Sequence, residues 1–131
     1  MAKERLNDIF TQDVLKKLFP ENRSDQFFEA LFGDASEGAF DISLEFKEHI
    51  QNRLEFELHL KQRPDKCINC SLTYGLPAVF SRHPIINING LVHDIEQLIK
   101  GRAKCIDWQL SITREISDEL HAIPLTVLLD K

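Results

Sequence analysis

The chain has no apolar run long enough to cross a bilayer and no basic excess, and its 131 residues include one Met, one Trp, one Tyr and three Cys. Each shortage removes a class of protein. Without a stretch of about 20 apolar residues no membrane helix can be drawn, and the polar opening Met1 to Arg5 leads into no signal-peptide core. The net charge of -5, with sixteen Lys and Arg scattered from Lys3 to Lys131, would repel a polyphosphate, so nucleic acid is not the expected partner. Three cysteines, an odd number, fit free thiols in a reducing compartment better than a disulfide framework, and the expected location is the cytoplasm. The sequons at Asn22 and Asn69 then carry no glycan. No P-loop, dinucleotide fingerprint, HExxH or GxSxG is present, which lowers the case for common nucleotide enzymes and hydrolases. No residue pattern implies a cofactor.

What remains is ordinary globular composition, 43% hydrophobic and 28% charged, at a length suited to one domain spanning residues 1–131. Residues 1–38 read as helical. Thr11 is a candidate cap before Val14, Leu15 and Leu18, and Pro20 closes that helix. A second helix follows, with Ser24 as cap, Asp25 at the positive dipole end, a stripe of Phe27, Phe28, Leu31 and Phe32, and Gly33 in the left-handed position after it.

From Phe40 the period changes to two. Phe40, Ile42, Leu44 and Phe46 alternate with polar residues, and the pattern repeats at Leu54, Phe56, Leu58 and Leu60, at Ile68, Cys70, Leu72 and Tyr74, and at Ile106, Trp108, Leu110 and Ile112. Four such runs predict half-buried strands with one greasy and one polar face. Equal parity across the first hairpin calls for an odd-length loop, so Gln51, Asn52 and Arg53 are expected to form it, pairing Ile50 with Leu54 and Phe46 with Leu58. That register sets Lys47 opposite Glu57 and Glu45 opposite His59, and the next turn sets Leu58 opposite Cys70. Ile88, Val92, Ile95 and Ile99 predict a helix over residues 90–100; residues 85–88 are either a short edge strand or its first turn, and Pro84, the β-branched residues and the Asn pair favour an extended entry. A last strand near residues 123–128 shifts its apolar parity to odd numbers, which predicts a bulge near Pro124 and an edge position. The fold class is therefore α+β, an antiparallel sheet of about five to six strands with helices on one face, in the order ααβββ(β)αββ; residues 39–131 supply the sheet and one helix.

Three kinds of chemistry merit weighing. Cys67 and Cys70 are the one pair with metal or redox spacing, but in a strand their side chains point to opposite faces and cannot share a tetrahedral ion. The polar face carries Asp41, Glu45, Glu55, Glu57 and Asp107 with Lys47, His59 and Lys61, which suits cross-strand charge pairing as well as acid-base work. The connection from Tyr74 to Pro84 holds Tyr74, Arg82 and His83: Arg82 can grip a carboxylate or phosphate and His83 can move a proton, while the simpler role is to plug the core and cap the next helix. The leading expectation is a small, soluble, non-enzymatic interaction module, a homo-oligomer or a binder of another protein, because a one-layer sheet exposes backbone groups at its edges. The alternatives are a small-molecule binder or acid-base enzyme at residues 76–84, and a zinc or thiol-redox protein using Cys67 and Cys70.

Overall fold

The alternating run that begins at Phe40 forms a long strand, β1 (Phe40–Ile50), and its repeat forms β2 (Arg53–Gln62). A computed structural model describes residues 9–20, 22–34, 38, 40–66, 76–99 and 103–130. Within them the chain passes through α1 (Gln12–Leu18) and α2 (Arg23–Phe32), then β1 and β2, then α3 (Leu76–Phe80) and α4 (Ile88–Leu98), and finally β3 (Cys105–Leu110), β4 (Arg114–Ser117) and β5 (Leu120–Leu129). The result is an α+β fold, one antiparallel five-stranded sheet with helices on one face, in the predicted order. The strand predicted at residues 68–74 lies outside the described residues.

Thr11 caps α1 by accepting from the Val14 backbone N–H at 3.3 Å, and Gly33 ends α2 in the left-handed conformation at φ 83°. Ser24 is not the cap of α2. Asn22 stands there, and the Ser24 hydroxyl turns instead to β1, accepting from Ile42 N–H at 2.7 Å. The last long helix, α4, begins at Ile88, and no extended segment leads into it. Asn87, left-handed at φ 49°, caps it through Gly90 N–H, because Asn tolerates that conformation and supplies its own acceptor.

The first hairpin differs in register from expectation. Its turn has two residues, Gln51 and Asn52, and a bulge at Lys47 restores the parity that an odd loop would have given. Phe46 therefore faces Phe56, Glu45 faces Glu57 and Ser43 faces His59. Nor is Cys70 available to Leu58, which is flanked by Leu44 on β1 and Ile123 on β5. The sheet order is β1, β2, β5, β3, with β4 sharing the outer side of β5.

β5 was expected to be an edge strand with a bulge, and it is neither. It pairs with β2 without a register shift from Arg53↔Leu128 to Lys61↔Leu120, so odd residues on β5 share the core face with even residues on β2. Pro124 survives in this interior strand for a local reason. Its carbonyl accepts from Ser111 N–H at 2.9 Å, so its nitrogen also points to the outer side, where β3 hands over to β4 and no ladder donor is needed.

Under the helices lies one core. Leu54, Phe56, Leu58 and Leu60 are at most 1% exposed, as are Ile123, Leu125, Val127 and Leu129 on the neighbouring β5. Phe10 stacks on Phe46 with centroids 4.9 Å apart and meets Phe56 edge-on at 5.1 Å, which anchors the segment before α1 to the sheet. Phe27, at 0% exposure, meets Phe28 and Phe80 edge-on, and Phe28 meets Phe40 in turn, so α2 and α3 seal the far end. Gly38 is required where it stands, since any side chain there would collide with the Phe28 ring.

Candidate interaction surface

Of the residues singled out from sequence, Tyr74, Cys67 and Cys70 lie outside the described residues. Arg82 and His83 follow α3 and make local bonds: Arg82 Nε donates to the Ala78 carbonyl at 3.3 Å, and His83 Nδ1 accepts from Ile85 N–H at 3.2 Å. The His83 ring also lies edge-on against Phe27, 4.8 Å between centroids. Among the described residues, no group of three or more His, Cys, Asp or Glu could hold a metal ion, and no helix is long and apolar enough to cross a membrane.

The polar face of the sheet is organised around Glu57. This carboxylate is only 7% exposed, because its neighbours on β5, Ala122, Pro124 and Thr126, are small or compact and let the flanking chains fold over it. His59 Nε2 lies 2.9 Å from Oε1, Lys47 Nζ 3.8 Å from Oε1 and Arg114 Nη1 3.9 Å from Oε2. One acid thus ties together groups from β1, β2 and β4. Beside it Glu55 takes Arg53 Nε at 3.1 Å and the Thr126 hydroxyl at 3.0 Å. Lys47, Arg53, Glu55, Glu57 and Arg114 line an open concavity of ≈ 360 Å³ in which cations and carboxylates alternate. Such mutual pairing suits a solvated sheet face.

Two other concavities flank the sheet. The larger, ≈ 610 Å³, lies between the start of α2 and β1 and includes Asn22, Asp25, Asp41, Ser43 and Lys61. At that end of β1, Arg63 binds Asp25 at 2.7 Å and Asp41 at 3.0 Å while its guanidinium stands 5.3 Å from the Phe28 ring centre. Arg63, just past the end of β2, thus straps α2 to β1. The other concavity, ≈ 330 Å³, includes His93, Glu96, Cys105 and Asp107 between α4 and β3. Burial, with help from Glu96 and Asp130, pushes the Cys105 thiol up to about 11, so it is protonated and unreactive at neutral pH.

The two edges of the sheet differ sharply. On β1 the Ile42 N–H and carbonyl both meet Ser24, and Gln12 of α1 donates to Glu45 at 3.2 Å. On the opposite side, β3 and β4 together form one outer strand broken by three register slips against β5. Between Cys105↔Leu129 and Asp107↔Leu128 the extra residue is Ile106, and between Glu115↔His121 and Ser117↔Leu120 it is Ile116. Between Ser111, bonded to Pro124, and Arg114, paired with Ala122, two residues, Ile112 and Thr113, stand opposite Ile123 alone. A bulge leaves its extra residue out of the ladder and re-aims the side chain. Accordingly Ile106, Ile112 and Ile116 are 62%, 78% and 49% exposed, whereas Trp108 and Leu110 between them lean on the core. The expectation that Ile106 and Ile112 face the core fails for this reason. The chain matches no family model, no curated protein and no solved structure.

Proposed function

We propose that this protein is a non-enzymatic interaction module that self-associates through its β3–β4 edge. One observation carries the reading: among the described residues, three of the four large hydrophobic side chains exposed beyond a third of their surface stand on this single edge, each at a bulge. Isolated exposed apolar residues are normal on any protein surface, but their concentration at the irregular points of one strand supports a contact made by side chains. The paired charges of the Glu57 cluster and the protonated Cys105 fit a binding role better than catalysis. A net charge of -5 disfavours nucleic acid as the partner, and three cysteines suit a reducing compartment such as the cytosol.

Light scattering and native mass spectrometry test the reading directly. The wild-type chain is expected at twice 15.2 kDa at micromolar concentration. Ile112→Asp is expected to weaken the dimer about a hundredfold while leaving the circular dichroism spectrum and melting temperature unchanged. A wild-type monomer, or a dimer indifferent to substitutions at Ile106, Ile112 and Ile116, would remove the proposal.

A further inference from the structure

We infer that the occupant of this edge is a second copy of the chain in one particular orientation, antiparallel about a two-fold axis normal to the sheet, with Asp107 of each copy against Arg114 of the other. The inference rests on the reading that the protein associates through this edge, and it adds what determines the direction.

Backbone pairing does not set that direction. Slips at Ile106, Ile112–Thr113 and Ile116 interrupt the regular spacing of donors and acceptors that a continuous ladder needs, so the contact must be made by side chains. Along the edge these side chains form a self-complementary series. Asp107 pairs with Leu128 and Arg114 with Ala122, and paired residues share a face, so both charges stand on the face that carries Glu57 and Thr126. Glu115 pairs with His121 and is turned to the other face. A two-fold axis normal to the sheet keeps each face on its own side and reverses the strand. The acidic end of one copy then meets the basic end of its mate twice, and Glu115 stays clear of Asp107. A parallel two-fold arrangement would turn one copy over and put its Asp107 and Arg114 on the face opposite those of its mate, so neither charge would meet a partner.

Both charges are exposed. The Arg114 side chain is 62% exposed, and its ion pair with Glu57, at 3.9 Å, is longer than a hydrogen bond. Asp107 is exposed, with Oδ1 accepting from Trp108 N–H at 2.8 Å. The same rotation brings Ile106 of one copy towards Ile116 of the other and sets the axis near Leu110, with Ile112 of each copy between the axis and Arg114. Desolvation of the isoleucines drives association, and the two ion pairs select the orientation. The contact is isologous and closes at two subunits, so it does not propagate into fibres.

Charge reversal tests the orientation. Sedimentation equilibrium should show that Arg114→Asp and Asp107→Arg each weaken the dimer about tenfold, since each creates two like-charge contacts, and that the doubly reversed chain returns to within a few-fold of wild type. Thermal melts of all three keep loss of the Arg114–Glu57 contact separate from loss of association. Dissociation by Ile112→Asp without any response to charge reversal would overturn the orientation and leave the self-association reading standing. Singly reversed chains that weaken without mutual rescue would overturn it equally. A wild type that stays monomeric would remove both.

Discussion

The two edges of this sheet solve one problem by opposite means. Along β1, the exposed backbone is satisfied from within the molecule: the Ser24 hydroxyl serves both the N–H and the carbonyl of Ile42, and α1 reaches Glu45 through Gln12. On β3 and β4, the backbone is made irregular instead, and irregularity turns three isoleucines outward. Satisfying an edge closes it to every partner. Bulging an edge closes it to another strand while leaving side chains on offer, so only the second edge combines protection with a surface for association.

The comparison breaks most completely if the irregularity is removed. Deleting Ile112 removes the middle slip and joins residues 107–115 in one register, and the expected outcome is a regular stretch of edge that pairs backbone to backbone into large assemblies, visible as a jump in scattered light. An unchanged subunit number would show that the bulge does not guard the edge. On the β1 side, Ser24→Ala strands a buried N–H and should cost about 1–3 kcal/mol in urea unfolding, with no change in subunit number. Smaller still, Pro124→Ala should cost about 0.4–1 kcal/mol, mostly by freeing the unfolded chain, because the proline nitrogen faces the handover between β3 and β4 and breaks no ladder bond.

A last measurement bears on the buried side of the outer strand. With Cys67 and Cys70 replaced by Ser, alkylation of Cys105 at pH 8 should run roughly a hundredfold slower than for an ordinary thiol and speed up as pH approaches 11. The sign follows from the raised value. Folding favours the protonated thiol, so this group's stabilising contribution is fully present below the ordinary thiol range and is lost as pH climbs through about 11. Ordinary alkylation kinetics at pH 8 would mean that Cys105 is not held against the core.

How far the sequence reveals this fold depends on whether each residue takes one rung of the ladder. In β2 it does, and Leu54, Phe56, Leu58 and Leu60 are buried as their alternation predicts. For β1 a bulge at Lys47 and a shorter turn cancel in parity, so the faces come out right while the register does not. Alternation fails along the outer strand because Ile106 and Ile112 fit the pattern as letters but stand at slips that no local signal marks. Proline misleads on β5, since its tolerance depends on a gap in the neighbouring strand, a fact of tertiary structure. Ser24 and Arg63 escape sequence reading likewise, because each acts on a strand far along the chain, and a hydroxyl or guanidinium does not advertise its distant acceptor. The Glu57 cluster is half legible: alternation puts Lys47, Glu55, Glu57 and His59 on the polar face, but nothing local points to Arg114, which β4 brings in from far along the chain.

Because Pro124 sits where the outer neighbour of β5 changes, that side of the strand carries two short zippers instead of one long one. An opening that starts at the Asp118–Glu119 tip is expected to release the pairs of Leu120 to Ala122 with β4 before those of Leu125 to Leu129 with β3, which hydrogen exchange would read. Protection should then be greatest where Val127 pairs with Trp108 over the core.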